Sequence, residues 1–218
     1  MRLVIGTILL TLGISFQGIA QHWEVGAIGG YGWYQNPTIA NFTSSNLPDS
    51  AVIGFPPRGA VGAVVGDNPY HHLGGELRWL FQWGGPQIEA NGIKTSMTGF
   101  SNLVTYDLLV YPISSESGFR PYLAGGGGVK IYTGSGFELI GQSPTAGLAL
   151  LRPATQAEGA LSAGGGLKYL FAKHAQFRID LRAYFTPIPD EVIRPTRFST
   201  IHGWLSEIVP TAGFSYVF

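Results

Sequence analysis

The sequence predicts an all-β fold: an eight-stranded antiparallel up-and-down transmembrane β-barrel. Three observations predict it. Strand-like segments recur along the chain, joined by links that alternate short and long. Within them, apolar and polar residues alternate with the period of two that puts successive side chains on opposite faces. The polar parity holds mostly Gly, Ala, Ser and Thr with isolated charges, while the apolar parity is bulky and is aromatic at its ends.

Composition agrees. The 218 residues carry 13 acidic and 13 basic side chains, so formal net charge is zero and the basic footprint of a nucleic-acid binder is missing. Only 12% of residues are charged, where about 25% is usual in soluble domains. The chain has no Cys, which excludes disulfide staples and thiolate metal sites. At the N-terminus, Met1-Arg2 precedes an apolar run from Leu3 to Phe16 and the small residues Gly18-Ile19-Ala20. This is the pattern of a secretory signal peptide over residues 1–20, cut after Ala20. The run is shorter than the ~20 residues of a spanning helix. Residues 21–218 are then a single barrel domain.

The elements follow in order. The first segment, residues 22–34, sets Trp23, Val25, Ala27, Tyr31 and Trp33 against Glu24. The second, 58–66, opposes Val61, Ala63 and Val65 to Arg58, with Ala60 and Val64 blurring the pattern. The third, 71–83, sets Leu73, Leu77, Trp79, Phe81 and Trp83 against Glu76 and Arg78. The fourth, 97–111, sets Phe100, Val104, Tyr106, Leu108 and Val110 against Asp107. The fifth, 119–133, sets Leu123, Val129 and Ile131 against Arg120 and Lys130, and the sixth, 157–171, sets Leu161, Leu167, Tyr169 and Phe171 against Glu158 and Lys168. In the seventh, 175–186, Phe177, Ile179, Leu181, Ala183 and Phe185 alternate with Arg178, Asp180 and Arg182. The eighth, 204–218, opposes Ile208, Phe214, Tyr216 and Phe218 to Glu207. Wherever a strand carries two or three charges, all of them share one parity. The long links 35–57, 84–96, 134–156 and 187–203 and the short ones have the Gly, Pro, Ser, Thr and Asn content of turns and loops.

The faces can be assigned. A soluble barrel turns its apolar face inward and covers its outside with dense, varied charge. Here the polar face is small and sparsely charged, which suits a cramped interior. A closed barrel in a bilayer points apolar residues outward, carries aromatic girdles at both interfaces, and satisfies every backbone group. The charges therefore face the lumen, where they pair. A central group of Glu76, Arg78, Asp180, Arg182 and Glu207 is expected. Tyr34, Tyr111, Tyr122, Tyr132 and Tyr184 fall on the polar parity, where a hydroxyl serves a polar interior.

The last residues, Phe214-Ser215-Tyr216-Val217-Phe218, place aromatics two and four positions before a terminal Phe. This resembles the C-terminal signature of bacterial outer-membrane barrels. The stretches from Pro121 to Gly128 and from Phe177 to Phe185 look like strands of the OmpA-like and OmpX-like small barrels. The resemblance implies residence in the bacterial outer membrane, with lipid bilayer and lipopolysaccharide around the barrel. It implies recognition of Phe218 by the barrel-insertion machinery. It places both ends and the short turns in the periplasm, and the four long loops outside. Unlike full-length OmpA, the chain shows no peptidoglycan-binding domain, which puts wall tethering in doubt.

Candidate chemistry is sparse. Ala124 to Lys130 has the glycine density of a phosphate loop but not its Gly-Lys-Ser/Thr order at a helix start. His71-His72 are adjacent on a strand and point to opposite faces, so a role at the periplasmic rim is expected rather than a metal site. Ser199, His202, Ser206 and Glu207 hold a nucleophile, a base and an acid, the groups used by outer-membrane lipid A deacylases. Ser206 and His202 are separated by roughly 13 Å at strand rise, and Glu207 is expected in the lumen. Asn41-Phe42-Thr43 matches a glycosylation pattern and reads as a loop. No catalytic, metal or cofactor site is expected. The loops carry apolar patches, Ile53 to Pro57 and Leu148 to Leu151, which could bind an unknown extracellular ligand. The leading function is a non-enzymatic surface or structural protein. The alternatives are a lipid A-modifying hydrolase and a narrow channel.

Overall fold

The computed structural model describes residues 23–41, 50–113, 118–136, 149–196, 199–201 and 203–218. Eight long strands form one closed antiparallel barrel: β1 (Trp23–Gln35), β2 (Arg58–Asp67), β3 (Leu73–Trp83), β4 (Thr98–Val110), β5 (Phe119–Ser135), β6 (Thr155–Ala172), β7 (Ala175–Pro187) and β8 (Trp204–Val217). Each strand pairs with its sequence neighbour, and β8 pairs with β1 to close the ring. Closure leaves no open sheet edge, as a bilayer requires. Among the described residues there is no helix. The expected up-and-down barrel is the one observed, and the eight expected segments match the strands to within two residues at every end.

Alternation decides the faces as anticipated. Leu77, Trp79, Val104, Leu123, Leu161, Leu181, Ile208 and Phe214 are exposed on the outside. Glu76, Arg78, Asp107, Arg178 and Arg182 are fully buried inside. The blurred strand β2 is resolved too: Val61 and Val65 face out, while Ala60 and Val64 are buried in the lumen. Tyr111, Tyr122, Tyr132 and Tyr184 are buried and Tyr34 is partly buried.

Aromatic rings gather at both ends of the wall. Phe171, Phe177 and Phe214 cluster at the short-turn end, with centroids 5.4 and 6.3 Å from Phe214. Phe81, Trp83 and Phe100 cluster at the long-loop end, 5.7 and 6.4 Å from Phe81. Phe218 extends the closing ladder, its N–H donating to the Trp23 carbonyl at 3.0 Å. Pro210 faces outward in β8 and lacks an N–H. Registered pairs between β1 and β8 stop at Gly30↔Thr211 and resume at Trp33↔Ile208 on either side of it.

Luminal glycines make room. A Cβ at Gly126 or Gly128 would meet the carbonyl oxygens of Tyr106 and Val104 on β4 far inside contact distance. This explains the two luminal glycines of the β5 run by close strand approach, not phosphate binding. Gly32, Gly66 and Gly164 similarly lie against the side chains of Glu207, Glu24 and Arg182.

The long links are not simple loops. Ser199–Thr200, Thr38–Asn41, Ser50–Gly54, Gln87–Ala90 and Ile93–Ser96 form a second sheet in that order, drawn from the first, second and fourth long links. Ala149–Leu151 from the third pairs with Ile193–Pro195 from the fourth. Asn91 and Gly92, with φ of 50° and 77°, make the tight turn between 87–90 and 93–96, the backbone that a two-residue Asn-Gly hairpin turn needs.

Candidate functional site

The lumen is filled in layers. Near the short-turn end lies a neutral cluster of four acids and four bases: Glu24, Glu76, Asp107 and Asp180 with Arg78, Lys168, Arg178 and Arg182. Arg178 is its hub. It donates to Glu24 at 3.1 Å, Glu76 at 2.6 Å, Asp180 at 3.1 Å and the Tyr122 hydroxyl at 3.1 Å. Glu76 also takes Arg78 at 2.8 Å and Arg182 at 3.4 Å. Arg182 reaches Asp107 at 3.3 Å. Lys168 closes the layer below, 2.7 Å from Glu24 and 3.0 Å from the Tyr111 hydroxyl. Buried charge is tolerated only when paired and hydrogen-bonded, and here every carboxylate faces at least one cation.

Above this cluster an apolar belt crosses the lumen: Ile28, Ala60, Val64, Leu80, Leu103, Ala160 and Val209, with the Tyr184 ring. A second polar layer follows. Lys130 binds Glu207, the Tyr34 hydroxyl at 2.6 Å and Gln82 at 2.9 Å. Gln82 also donates to Glu207. Arg58 donates to the Gly84 carbonyl, Ser101 and Tyr34, and its guanidinium lies 4.7 Å from the Phe55 ring centre.

Phe55 belongs to the roof. It stacks on Tyr132 with centroids 4.9 Å apart. The two join Ala51, Ile53, Ile88, Ala90, Met97, Ala149, Leu151, Val192, Ile193 and Leu205 in a buried apolar core. Every long link contributes to this core. It makes a folded cap over the barrel mouth at the long-loop end, joined to the barrel through Tyr132, whose hydroxyl shares a 2.7 Å hydrogen bond with Thr186.

Several expectations are corrected. Four of the five residues in the expected central group do meet, but Glu207 does not join them. It pairs across from Tyr34 and Tyr184, whereas Asp180 pairs with Thr211, four residues or roughly 13 Å along the strand. Glu24, Asp107, Lys168 and Arg178 complete the group instead. Arg120 sits at the rim, half-buried, donating to the His71 carbonyl at 3.2 Å and lying 3.9 Å from the Tyr111 ring centre. Glu158 is half-buried at the loop end beside Gln156, 2.6 Å away. The apolar patches at Ile53 to Phe55 and at Ala149 and Leu151 point into the cap core, so they build the cap and do not present a contact surface; Leu148 lies outside the described residues.

The remaining candidates separate. Ser206 bonds Gln35 at 3.2 Å, while Glu207 next to it turns into the lumen and is held by Lys130 and Gln82. Ser199 is buried. His202, like the signal-like residues 1–20, Phe42 and Thr43, lies outside the described residues. His72 occupies the short-turn rim as expected, its ring nitrogen donating to the Tyr111 carbonyl at 2.8 Å. Among the described residues, no group of three or more His, Asp or Glu is placed to hold a metal ion.

An apolar exterior, a charged interior and a closed wall define a transmembrane β-barrel of the outer-membrane type. No family model and no curated protein sequence matches the chain. Solved structures do match its fold. Neisserial surface protein A is similar at 12% identity with a TM-score of 0.56, over 90% of this chain and 97% of that one. The outer membrane protein AlkL, solved in lipid bilayers, is similar at 13% identity with a TM-score of 0.53, over 92% of each chain. OprG from Pseudomonas aeruginosa is similar at 16% identity with a TM-score of 0.51, over 91% and 97%. The fold is that of the small outer-membrane barrels, as the terminal signature implies.

Proposed function

We propose that this chain is a non-enzymatic surface protein of the bacterial outer membrane, in which the barrel is an anchor and the cap is the working part. A signal peptide over residues 1–20 delivers it, and Phe218 is the handle for the insertion machinery. Lipid and lipopolysaccharide surround the wall, and the cap meets an extracellular ligand. One observation carries the reading: the lumen is plugged by two ion-pair layers with an apolar belt between them, while all four long links are invested in a separately cored cap. A plugged lumen is poorly suited to conduction. Rigid scaffolds with elaborated loops are suited to recognition.

The test compares cells bearing the wild-type chain with cells bearing a barrel whose four long links are replaced by short turns. Binding to immobilised extracellular-matrix and host-surface molecules is measured. Capture that depends on the cap supports the reading. Equal capture by both, a changed lipid A acyl pattern on expression, or steady conductance in planar bilayers would each overturn it.

A further inference from the structure

The cap carries a cleft of about 610 Å³ lined by Arg152, Ala154, Asp190, Glu191, Arg194 and Pro195. Its size is that of a small-molecule site. Its base is rigid: Arg194 sits opposite Leu150 in the ladder Ala149–Leu151/Ile193–Pro195, and its neighbours Val192 and Ile193 are fully buried in the cap core. The Arg152 N–H donates to the Val192 carbonyl at 3.0 Å, tying the two sides of the cleft together.

Gln156 holds one acid by its carboxylate and the other by its backbone. Gln156 donates to the Asp190 carboxylate at 2.8 Å and accepts the Glu191 N–H at 2.7 Å. Among the described residues, neither the Arg194 guanidinium nor the Glu191 carboxylate has a side-chain partner. The cleft thus holds both signs of charge on a preformed frame, with one cation and one anion uncommitted. A simple anion would be repelled by Asp190 and Glu191, and a simple cation by the two arginines. A ligand carrying both charges meets complementary groups. The planar fork of Arg194 suits a carboxylate.

We infer that this cleft binds a small zwitterion of the amino acid or short-peptide class, its carboxylate on Arg194 and its ammonium between Asp190 and Glu191. The inference rests on the display reading above and names a ligand class for it.

The probe is L-alanyl-L-alanine, titrated calorimetrically into the mature chain in detergent micelles. N-acetyl-dialanine, dialanine amide and N-acetyl-dialanine amide serve as controls that lack one or both charges. Saturable heat with dialanine is expected, weakened about tenfold or more by removing either ligand charge, by Arg194→Gln or by Glu191→Gln. Both variants are checked for heat-modifiable gel mobility, and two separate substitutions keep the test decisive if one fails to fold. No saturable heat up to about 10 mM, undiminished binding by both variants, or equal binding of the uncharged control would overturn the inference. The two readings part cleanly. Cap-dependent capture without dialanine binding removes the zwitterion site and leaves the display function; dialanine binding without any cap-dependent capture does the reverse.

Discussion

At the scale of single residues, Glu76 concentrates the barrel's electrostatics. Three arginines converge on it, at 2.6, 2.8 and 3.4 Å. Glu76→Gln keeps the shape and removes the charge, leaving cations with less compensation in a buried site. Breaking a buried pair from one side costs about 3–5 kcal/mol. The variant is expected to unfold at lower denaturant in micelles by roughly that amount. Adding Arg178→Met should recover part of the loss, and strictly additive costs in the double-mutant cycle would refute the hub role. The parity of these charges was legible in the sequence, because four strands each keep two or three charges on one side. Their grouping was only partly legible. Period two reveals which face Glu207 takes, but height along the barrel depends on stagger between strands, and no residue in the sequence marks the stagger.

Strands and their links carry the next predictions. Gly128 lets β5 approach β4 so closely that a Cβ would meet the Val104 carbonyl. Gly128→Val must push the strands apart, a loss of about 1–3 kcal/mol of the kind overpacking produces. Reduced folding yield in lipid vesicles, against an unaffected Gly159→Val, is the expected result; a Cβ at Gly159 meets nothing within 4 Å. In the cap, Phe55→Ala removes a ring packed on Tyr132 and Arg58, where such truncations cost about 3–5 kcal/mol. The cap should become sensitive to protease while the barrel stays folded, read as unchanged gel mobility without boiling. Joint loss of both would show that cap and barrel are one cooperative unit. Most barrel strands were readable because they repeat their alternation over ten or more residues, whereas Arg58–Asp67 was blurred by Ala60 and Val64. The cap strands have two to five residues, too few for a period to emerge, and their apolar residues look like loop patches until their common core is seen. Asn91-Gly92 marks a hairpin locally, a signal that the sequence reading missed.

For the molecule as a whole, the layered lumen sets the permeability. Ions would have to cross the belt of Leu80, Leu103, Val64 and Val209, all fully buried. Planar bilayers containing the chain are therefore expected to stay electrically silent, and Arg58→Ala should not open them, because the belt lies below that residue. Stable open-channel steps in the wild type would show that the interior rearranges. The global architecture was the most legible feature of all, since the inverted surface, the terminal aromatics and the alternating link lengths constrain it jointly. The cleft at Arg194 was not legible. Its residues come from two separate links, and nothing in either announces the other.

The neutral cluster around Glu76 has one more consequence. It balances its own charge and its ion pairs run among its own members, so changes near the long-loop mouth break none of its bonds. The gene can therefore diversify what it shows to the surroundings while its foundation stays constant. Natural variants of this chain should differ mainly beyond Lys130 on the outward side and scarcely at all around Arg178.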